Sequence, residues 1–418
     1  MFETIQKAWS IPETRKKIMY TIMMLLVYRL CAFIPVPGVN SSVITQQITN
    51  SSLLGFFDQI NGGALQSYTL LAMGISPYIN ASIIMNLLTV AIPTLERIAK
   101  EEGGTQKITR YTSYLTLALA FVQAIGIILP MGETAVLSTS AFNYITIGVC
   151  LTAGTALSIW IGEQISNKGI GNGISLLIFV NVVSVLPQTV ISSVKDVFAG
   201  QMSWWTLIIL AAGAIAIVFA VVFVDMGERK VTVQYAKRQV GRKIMGGQSQ
   251  HIPIKVNSTG VLPIIFASVF LAFPSLILSF WPTSGLALFY AKWLGQGTLI
   301  YSVCYFLLIL FFTYFYTMIA FNPIEISKNI QQYGGFIPGI RPGKPTSDYL
   351  GRISNRLTIF GGVFLALIAA VPMLFTRLLN LQSAFGATSI LIIVSVALET
   401  SKQLESELMM RHYKGFLK

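Results

Sequence analysis

Charge is what this sequence has least of. Asp, Glu, Lys and Arg make up 11% of the 418 residues, against 54% hydrophobic, and the mean hydropathy is +0.69. Soluble domains carry about a quarter charged residues, so the composition points to a multi-span membrane protein. Histidine is nearly absent. His251 and His412 are the only two, which argues against histidine-based catalysis or metal binding. The three cysteines, Cys31, Cys150 and Cys304, lie inside apolar runs without the spacing of a metal site and read as packing residues. The chain has no HExxH, no GxSxG and no paired membrane aspartates, and GIRPGKPT lacks the glycine spacing of a phosphate loop. The expectation is a non-enzyme with no metal and no cofactor.

One long apolar stretch organises what is there. Leu53 to Val90 is almost wholly apolar, yet nearly twice the roughly 20 residues a spanning helix needs. Asn61, Gly62 and Gly63 break it, since paired glycines weaken a helix and permit a turn. The first piece, ending at Ile60, is too short to span and carries Phe56, Phe57 and the acid Asp58. The second, from Leu70 to Val90, is long enough. An apolar segment that enters the membrane and turns back must be covered by protein or line a cavity. The stretch therefore reads as a short helical stopper in a closed pore, followed by a spanning helix.

Ten apolar runs follow one another, near 18–36, 68–92, 111–130, 142–162, 172–190, 204–224, 261–281, 298–321, 357–376 and 386–400. Before them, residues 1–17 form an amphipathic segment with Phe2, Ile5 and Trp9 on one helical face, suited to a membrane surface. With the N-terminus inside, the inside segments hold 25 Lys and Arg and the outside loops 3, leaving Arg29 within the first span. By the positive-inside rule both termini face the cytoplasm. The net charge of +13 thus sits on one face. Two inside loops, 225–260 and 322–356, are long, basic and rich in turn residues mixed with apolar ones. They read as folded, and suit a large acidic partner or a cytosolic motor.

Small residues recur at four-residue spacing in Gly154, Ser158 and Gly162, and in Gly362, Ala366 and Ala370. Such stripes permit close helix packing. Five runs plus five also permit an inverted repeat, and an ion-coupled secondary transporter is the main rival reading. Coupled transporters place ionisable groups near the midplane. Here Asp58 lies in the stopper, while Glu163, Asp225 and Glu399 lie at span ends, which disfavours that reading.

At GISPYINASIIMNLLTV, ISNKGIGNGISLLIF, AKRQVGRK, QSQHIPIKVNSTGVLPIIFAS, FNPIEISKNIQQYGGFIPGIRPGKPT and ALETSKQLES the chain closely resembles the SecY family, the channel subunits of bacterial protein translocons. The resemblance runs from the first span to the tail. It implies an all-α polytopic membrane protein, with ten transmembrane helices in two pseudo-symmetric halves (spans 1–5 and 6–10) around an hourglass pore. The halves would be 18–190 and 204–400, with the tail at 401–418 cytoplasmic. It implies a pore ring of Ile75, Ile79, Ile174, Ile178, Ile265 and Ile392, and a plug over 53–66 including Leu53, Leu54, Phe56, Phe57, Asp58, Ile60, Gly62 and Gly63. An aliphatic collar resists wetting and so denies ions a water path, while non-directional contacts let it deform around a passing chain. A lateral gate would lie between spans two and three and spans seven and eight, with Asn80, Asn86, Asn257 and Phe273 along it. Arg242, Lys243 and Arg341 would serve the SecA motor ATPase and the ribosome. SecE and SecG would be companion subunits, signal sequences and unfolded preproteins the substrates, and the bacterial cytoplasmic membrane the location.

Overall fold

The structure is a computed structural model and describes residues 6, 8–40, 43–45, 58, 61–129, 135–200, 203–235, 238–240, 243–245, 249–278, 284–295, 298–378 and 387–415. Helices occupy all ten apolar runs: α1 (Pro12–Cys31), α2 (Ser76–Ala91), α4 (Gly104–Ile128), α5 (Ala141–Lys168), α6 (Gly173–Phe198), α7 (Trp204–Asp225), α8 (Leu262–Leu278), α10 (Leu299–Ala320), α12 (Lys344–Leu378) and α13 (Ala387–Gly415). Shorter helices α3 (Pro93–Lys100), α9 (Gly285–Leu294) and α11 (Pro323–Gln332) lie between them. Among the described residues, six helices are long and apolar enough to cross a membrane by length and composition, or seven if α2 and α3 count as one bent span. The chain is a polytopic, mostly helical membrane protein. It forms two compact units: Met1–Ala211 with Val269–Tyr301 and Ile392–Lys418, and Ala212–Ser268 with Ser302–Leu391.

In the first unit α2 packs on α4, α4 on α5, α5 on α6, and α1 on α5. Ile92 is extended ahead of Pro93, which disfavours helix at the preceding residue, and there the axis turns by 102° into α3. α3 buries no side chain and carries an exposed Glu96–Lys100 ion pair of 2.6 Å. The small-residue stripe on α5 acts as its spacing suggests. A Cβ on Gly154 would stand 1.8 Å from the Leu70 carbonyl oxygen, and one on Gly173 would stand 1.9 Å from that of Gly162. Ser158, fully buried, turns its hydroxyl back to the Gly154 carbonyl at 2.9 Å. Gly154 therefore seats a passing strand of backbone, and Gly162 a neighbouring helix. The second stripe behaves alike, with Gly362 against Leu310 and Thr313 of α10 and with Ala366 and Ala370 buried.

The second apolar run differs from its expectation. The helix there starts at Ser76, and residues 61–75 are turns with one isolated bridge, Pro35 to Thr69. Across that bridge the Val36 N–H reaches the Tyr68 carbonyl at 3.1 Å and the Leu70 N–H reaches that of Ile34 at 2.8 Å. Leu65, Tyr68, Ala72 and Met73 bury themselves with Val36, Ala124, Ile128, Ile147 and Leu151. Hydropathy reports burial here, and burial without helix reads the same as a span.

The second unit holds both long basic loops, and they fold together. β1 (Glu228–Tyr235) pairs antiparallel with β4 (Ser249–Lys255), from Glu228↔Lys255 to Gln234↔Ser249. β2 (Arg238–Val240) and β3 (Lys243–Met245) form a hairpin between them. β5 (Gly335–Phe336), from the other loop, pairs with β1 through Gln234↔Phe336 and Tyr235↔Gly335. Val231, Val233 and Ile254 of the sheet share a core with Ile330, Ile337 and Leu350. α12 begins thirteen residues before its apolar run, because its first turns serve this core through Tyr349, Leu350, Ile353 and Leu357. At 35 residues it is about 52 Å long, well beyond a bilayer's hydrocarbon thickness.

Gly154→Val should lower thermal stability in detergent, because the new side chain meets the Leu70 backbone, which has no rotamer with which to yield. Overpacking of this kind costs about 1–3 kcal/mol or more. Gly213→Val, in open space, is the control and should melt like the parent.

Candidate functional site

Asn61 is the pin of the segment ahead of α2. Its Nδ2 donates to the Ala72 carbonyl at 2.9 Å, and its Oδ1 accepts from the Ser76 hydroxyl at 3.2 Å. It is 3% exposed. One side chain thus ties the start of the turn to its end and to the first residue of α2. The turn itself is closed by Asp58. Its main-chain carbonyl accepts from the Gly63 N–H at 2.9 Å, and its carboxylate accepts from the Gln66 N–H at 2.9 Å. Gly62 lies at φ +72 and Gly63 at φ +81, backbone conformations that suit glycine. Leu53, Leu54, Phe56, Phe57 and Ile60 lie outside the described residues.

Ile75 and Ile79 follow at once. Ile75 caps α2, and the Ile79 N–H donates to its carbonyl at 3.1 Å, so the pair shares one helical turn. α6 is set by its own sequence: Asn172 caps it, accepting from the N–H groups of Ile174 and Ser175 at 3.1 and 3.4 Å. The Ser166 hydroxyl accepts from the Gly173 N–H at 2.9 Å. Ile174 is half-buried beside Gly162, and Ile178, one turn on, is buried. Ile75, Ile79 and Ile392 are likewise buried in the first unit, and Ile265 is buried in the second.

The three asparagines expected at a gate behave differently. Asn257 donates to the Asp225 carboxylate at 2.7 Å, at the end of α7. Asn86 lies 3.5 Å from the Ser82 hydroxyl one turn back on α2. Asn80 is buried, and its Oδ1 has no partner among the described residues. Phe273 is exposed. In the second unit Arg341 is exposed on a turn held from behind, where the Thr346 hydroxyl donates to its carbonyl at 2.9 Å and the Ser327 hydroxyl to that of Gly343 at 2.7 Å. Lys243 opposes Val240 in the β2–β3 hairpin, and Arg242 lies outside the described residues.

The SecY family model matches residues 69–401. The SecY subunit of the protein translocase of Streptomyces scabiei is 43% identical, with the whole of both chains covered. The chain belongs to the SecY family. Two solved structures share the fold. One, of a protein-conducting channel, has a TM-score of 0.67 at 20% identity, covering 94% of this chain and 92% of its own. The other concerns the SecY plug domain, which in that protein stabilises the closed state and maintains a membrane seal. It has a TM-score of 0.65 at 19% identity, with the same coverage. SecY-family membership accounts for the motifs: ISNKGIGNGISLLIF is the α5–α6 turn with its cap, and FNPIEISKNI is α11 with Asn322 capping Ile324 and Glu325.

Sequence reading of the residues missed Asn61 as a pin, and saw in it only a helix breaker. It also passed over Asn181, a lone amide inside an apolar run. The signal available was the rule that polar groups in hydrocarbon are held by something.

Asn61→Ala would leave the Ala72 carbonyl without its side-chain donor, at about 1–3 kcal/mol for a buried unsatisfied group. Hydrogen exchange over residues 61–76 should quicken, while α4 and α5 exchange as before.

Proposed function

We propose that this chain conducts unfolded polypeptides across a membrane and releases apolar segments sideways into lipid. The observation that carries it is the apolar, non-helical stretch 61–75. It folds back on itself, with its turn closed by Asp58 and Asn61, and delivers Ile75 and Ile79 at the head of α2. A stopper beside an aliphatic constriction is what a gated channel for a bulky, featureless substrate needs. The proposed ring is Ile75, Ile79, Ile174, Ile178, Ile265 and Ile392, and the proposed plug is 53–66. The two halves would open as a clamshell, residues 18–190 against 204–400. Family membership and the folded basic loops support this reading.

The transporter reading loses ground on Asp58. This buried acid accepts a backbone N–H within its own turn, which is a structural use rather than an ion site. Asp225, the next candidate, holds Asn257.

The partners in this reading are SecE and SecG in the membrane, and the SecA motor or the ribosome at the cytoplasmic face. Both termini would be cytoplasmic, in the bacterial cytoplasmic membrane. The energy would come from the motor or from synthesis, so the chain itself would act as a non-enzyme. Because the two basic loops share one core, a partner would meet a single rigid surface with Arg341 exposed on it. Arg341→Glu should abolish motor-driven export in reconstituted vesicles while leaving membrane assembly and thermal stability intact. Export at the parental rate would remove Arg341 from the docking surface.

The lateral gate separates a translocon from a channel that opens only along its axis. With the native cysteines replaced, Asn80→Cys and Phe273→Cys are introduced together. A disulfide needs Cα atoms roughly 4.4–6.8 Å apart, so oxidation should lock the gate. Both export and insertion of a signal-anchored protein should stop, and reduction should restore both. Full oxidation with normal insertion would sink the lateral gate at this pair.

A further inference from the structure

The plug turn rests on a polar seat built by α1 and α6, and nothing described so far uses it. Arg29 lies inside the first span. Its Nη1 is buried and has no hydrogen-bond partner among the described residues. Asn181, on α6, is 1% exposed. Its Nδ2 donates to the Tyr28 hydroxyl at 2.9 Å, and its Oδ1 is buried without a partner. Both orphan atoms face one place. A Cβ on Gly62 would stand 2.8 Å from Arg29 Nη1, 3.0 Å from the Asn181 Cα and 3.1 Å from Asn181 Oδ1. The Ser184 hydroxyl lies 3.5 Å from the Gly62 carbonyl and donates to the Asn181 carbonyl at 2.7 Å.

We infer that Arg29 and Asn181 are positioning residues that hold the Gly62 turn in its resting place and so set how readily the plug leaves. A guanidinium donor and an amide acceptor left unpaired in hydrocarbon are costly. Both stand about 3 Å from where a Cβ on Gly62 would lie, so the bare backbone of Gly62 packs directly against them. Gly62 is the residue type that lets them come this near, because any side chain there would occupy the gap. Tyr28 fixes the rotation of the Asn181 amide: with Nδ2 committed to the tyrosine, Oδ1 turns towards Gly62. The seat is therefore polar where the proposed isoleucine ring is not, and Ser184 ties it to the turn through the Gly62 carbonyl. A segment displacing the plug breaks the close packing of Gly62 on Arg29 and Asn181 and its contact with Ser184, and a weak signal sequence fails to repay them. That last step rests on the plug reading proposed above.

The test uses the purified full-length channel with its companion subunits, and the variants Arg29→Met, Asn181→Leu, the two combined, Tyr28→Phe and Gly62→Ala. Hydrogen exchange over residues 61–69 reads the seat itself. Resting ion conductance in planar bilayers reads the plug. Arg29→Met and Asn181→Leu should each speed exchange about tenfold, because each reshapes the surface against which Gly62 packs. The double variant should be no worse than either alone, since each single change already breaks the unit. Tyr28→Phe should act in the same direction through the freed amide. Arg29→Lys, which keeps a cationic donor, should restore protection, an outcome that a purely volumetric role for the side chain would not give. Should Arg29→Met fail to assemble, Asn181→Leu and Gly62→Ala carry the same test from the other sides of the gap. Faster exchange together with raised conductance supports the seat and the plug. Faster exchange with unchanged conductance supports the seat and overturns the plug. Unchanged exchange in Asn181→Leu and Gly62→Ala overturns the seat.

Discussion

Hydrocarbon offers a backbone no hydrogen bonds, and this one constraint governs the molecule. A helix satisfies it locally, and ten apolar runs take that solution. Residues 61–75 do not, and everything near them is arranged to make up the difference. The Val36 and Leu70 N–H groups find carbonyls across the bridge, Asn61 reaches the Ala72 carbonyl, and Asp58 takes the Gln66 N–H. Gly154 lets the Leu70 carbonyl lie flat on α5. Remove that closeness and the irregular segment has no place in the membrane.

The helices were legible because apolarity over about 20 residues is a one-dimensional signal. Their ends were legible where a local device sets them, Pro93 after Ile92 and Asn172 before Gly173, whereas α11, capped by Asn322, lies in a stretch read as loop. They were illegible where a distant partner decides. α12 starts at Lys344 because Leu350 and Ile353 meet strands β1 and β4 more than ninety residues away in sequence. α2 starts at Ser76 because Asn61, fifteen residues earlier, holds its hydroxyl. The same distinction applies to the candidate site. Ile75 and Ile79 are an ordinary isoleucine pair by spacing, and only resemblance singled them out. Asn181 and Arg29 carried a signal of their own, polarity where polarity is expensive, but its meaning required knowing that Gly62 lies between them.

The folded loops change what a docking partner meets. Two flexible basic loops would each lose conformational freedom on binding, at roughly 0.5–1.5 kcal/mol for every long side chain immobilised. A sheet that pairs β5 with β1, over a core of Val231, Val233, Ile254 and Leu350, has already lost the backbone's share of that freedom. Arg341 is then carried, exposed, by a segment already ordered against that sheet. α12 also runs without a break from that core into its apolar run.

Two kinds of contact divide the proposed gating between them. An aliphatic collar holds any chain about equally well, because apolar contacts have no preferred partner or angle. It can seal around an arbitrary substrate, and for the same reason it cannot tell a signal-bearing chain from another. Discrimination needs an interaction that is lost abruptly when geometry changes, and hydrogen bonds to an amide or guanidinium have that property, weakening steeply with angle and distance. Asn61 makes such bonds to the Ala72 carbonyl and the Ser76 hydroxyl, and Asn181 and Arg29 pack against Gly62 in the proposed plug turn. Tightness would then belong to the isoleucines and selectivity to the polar seat. The two could vary independently, because no isoleucine of the ring is a hydrogen-bond partner in the seat.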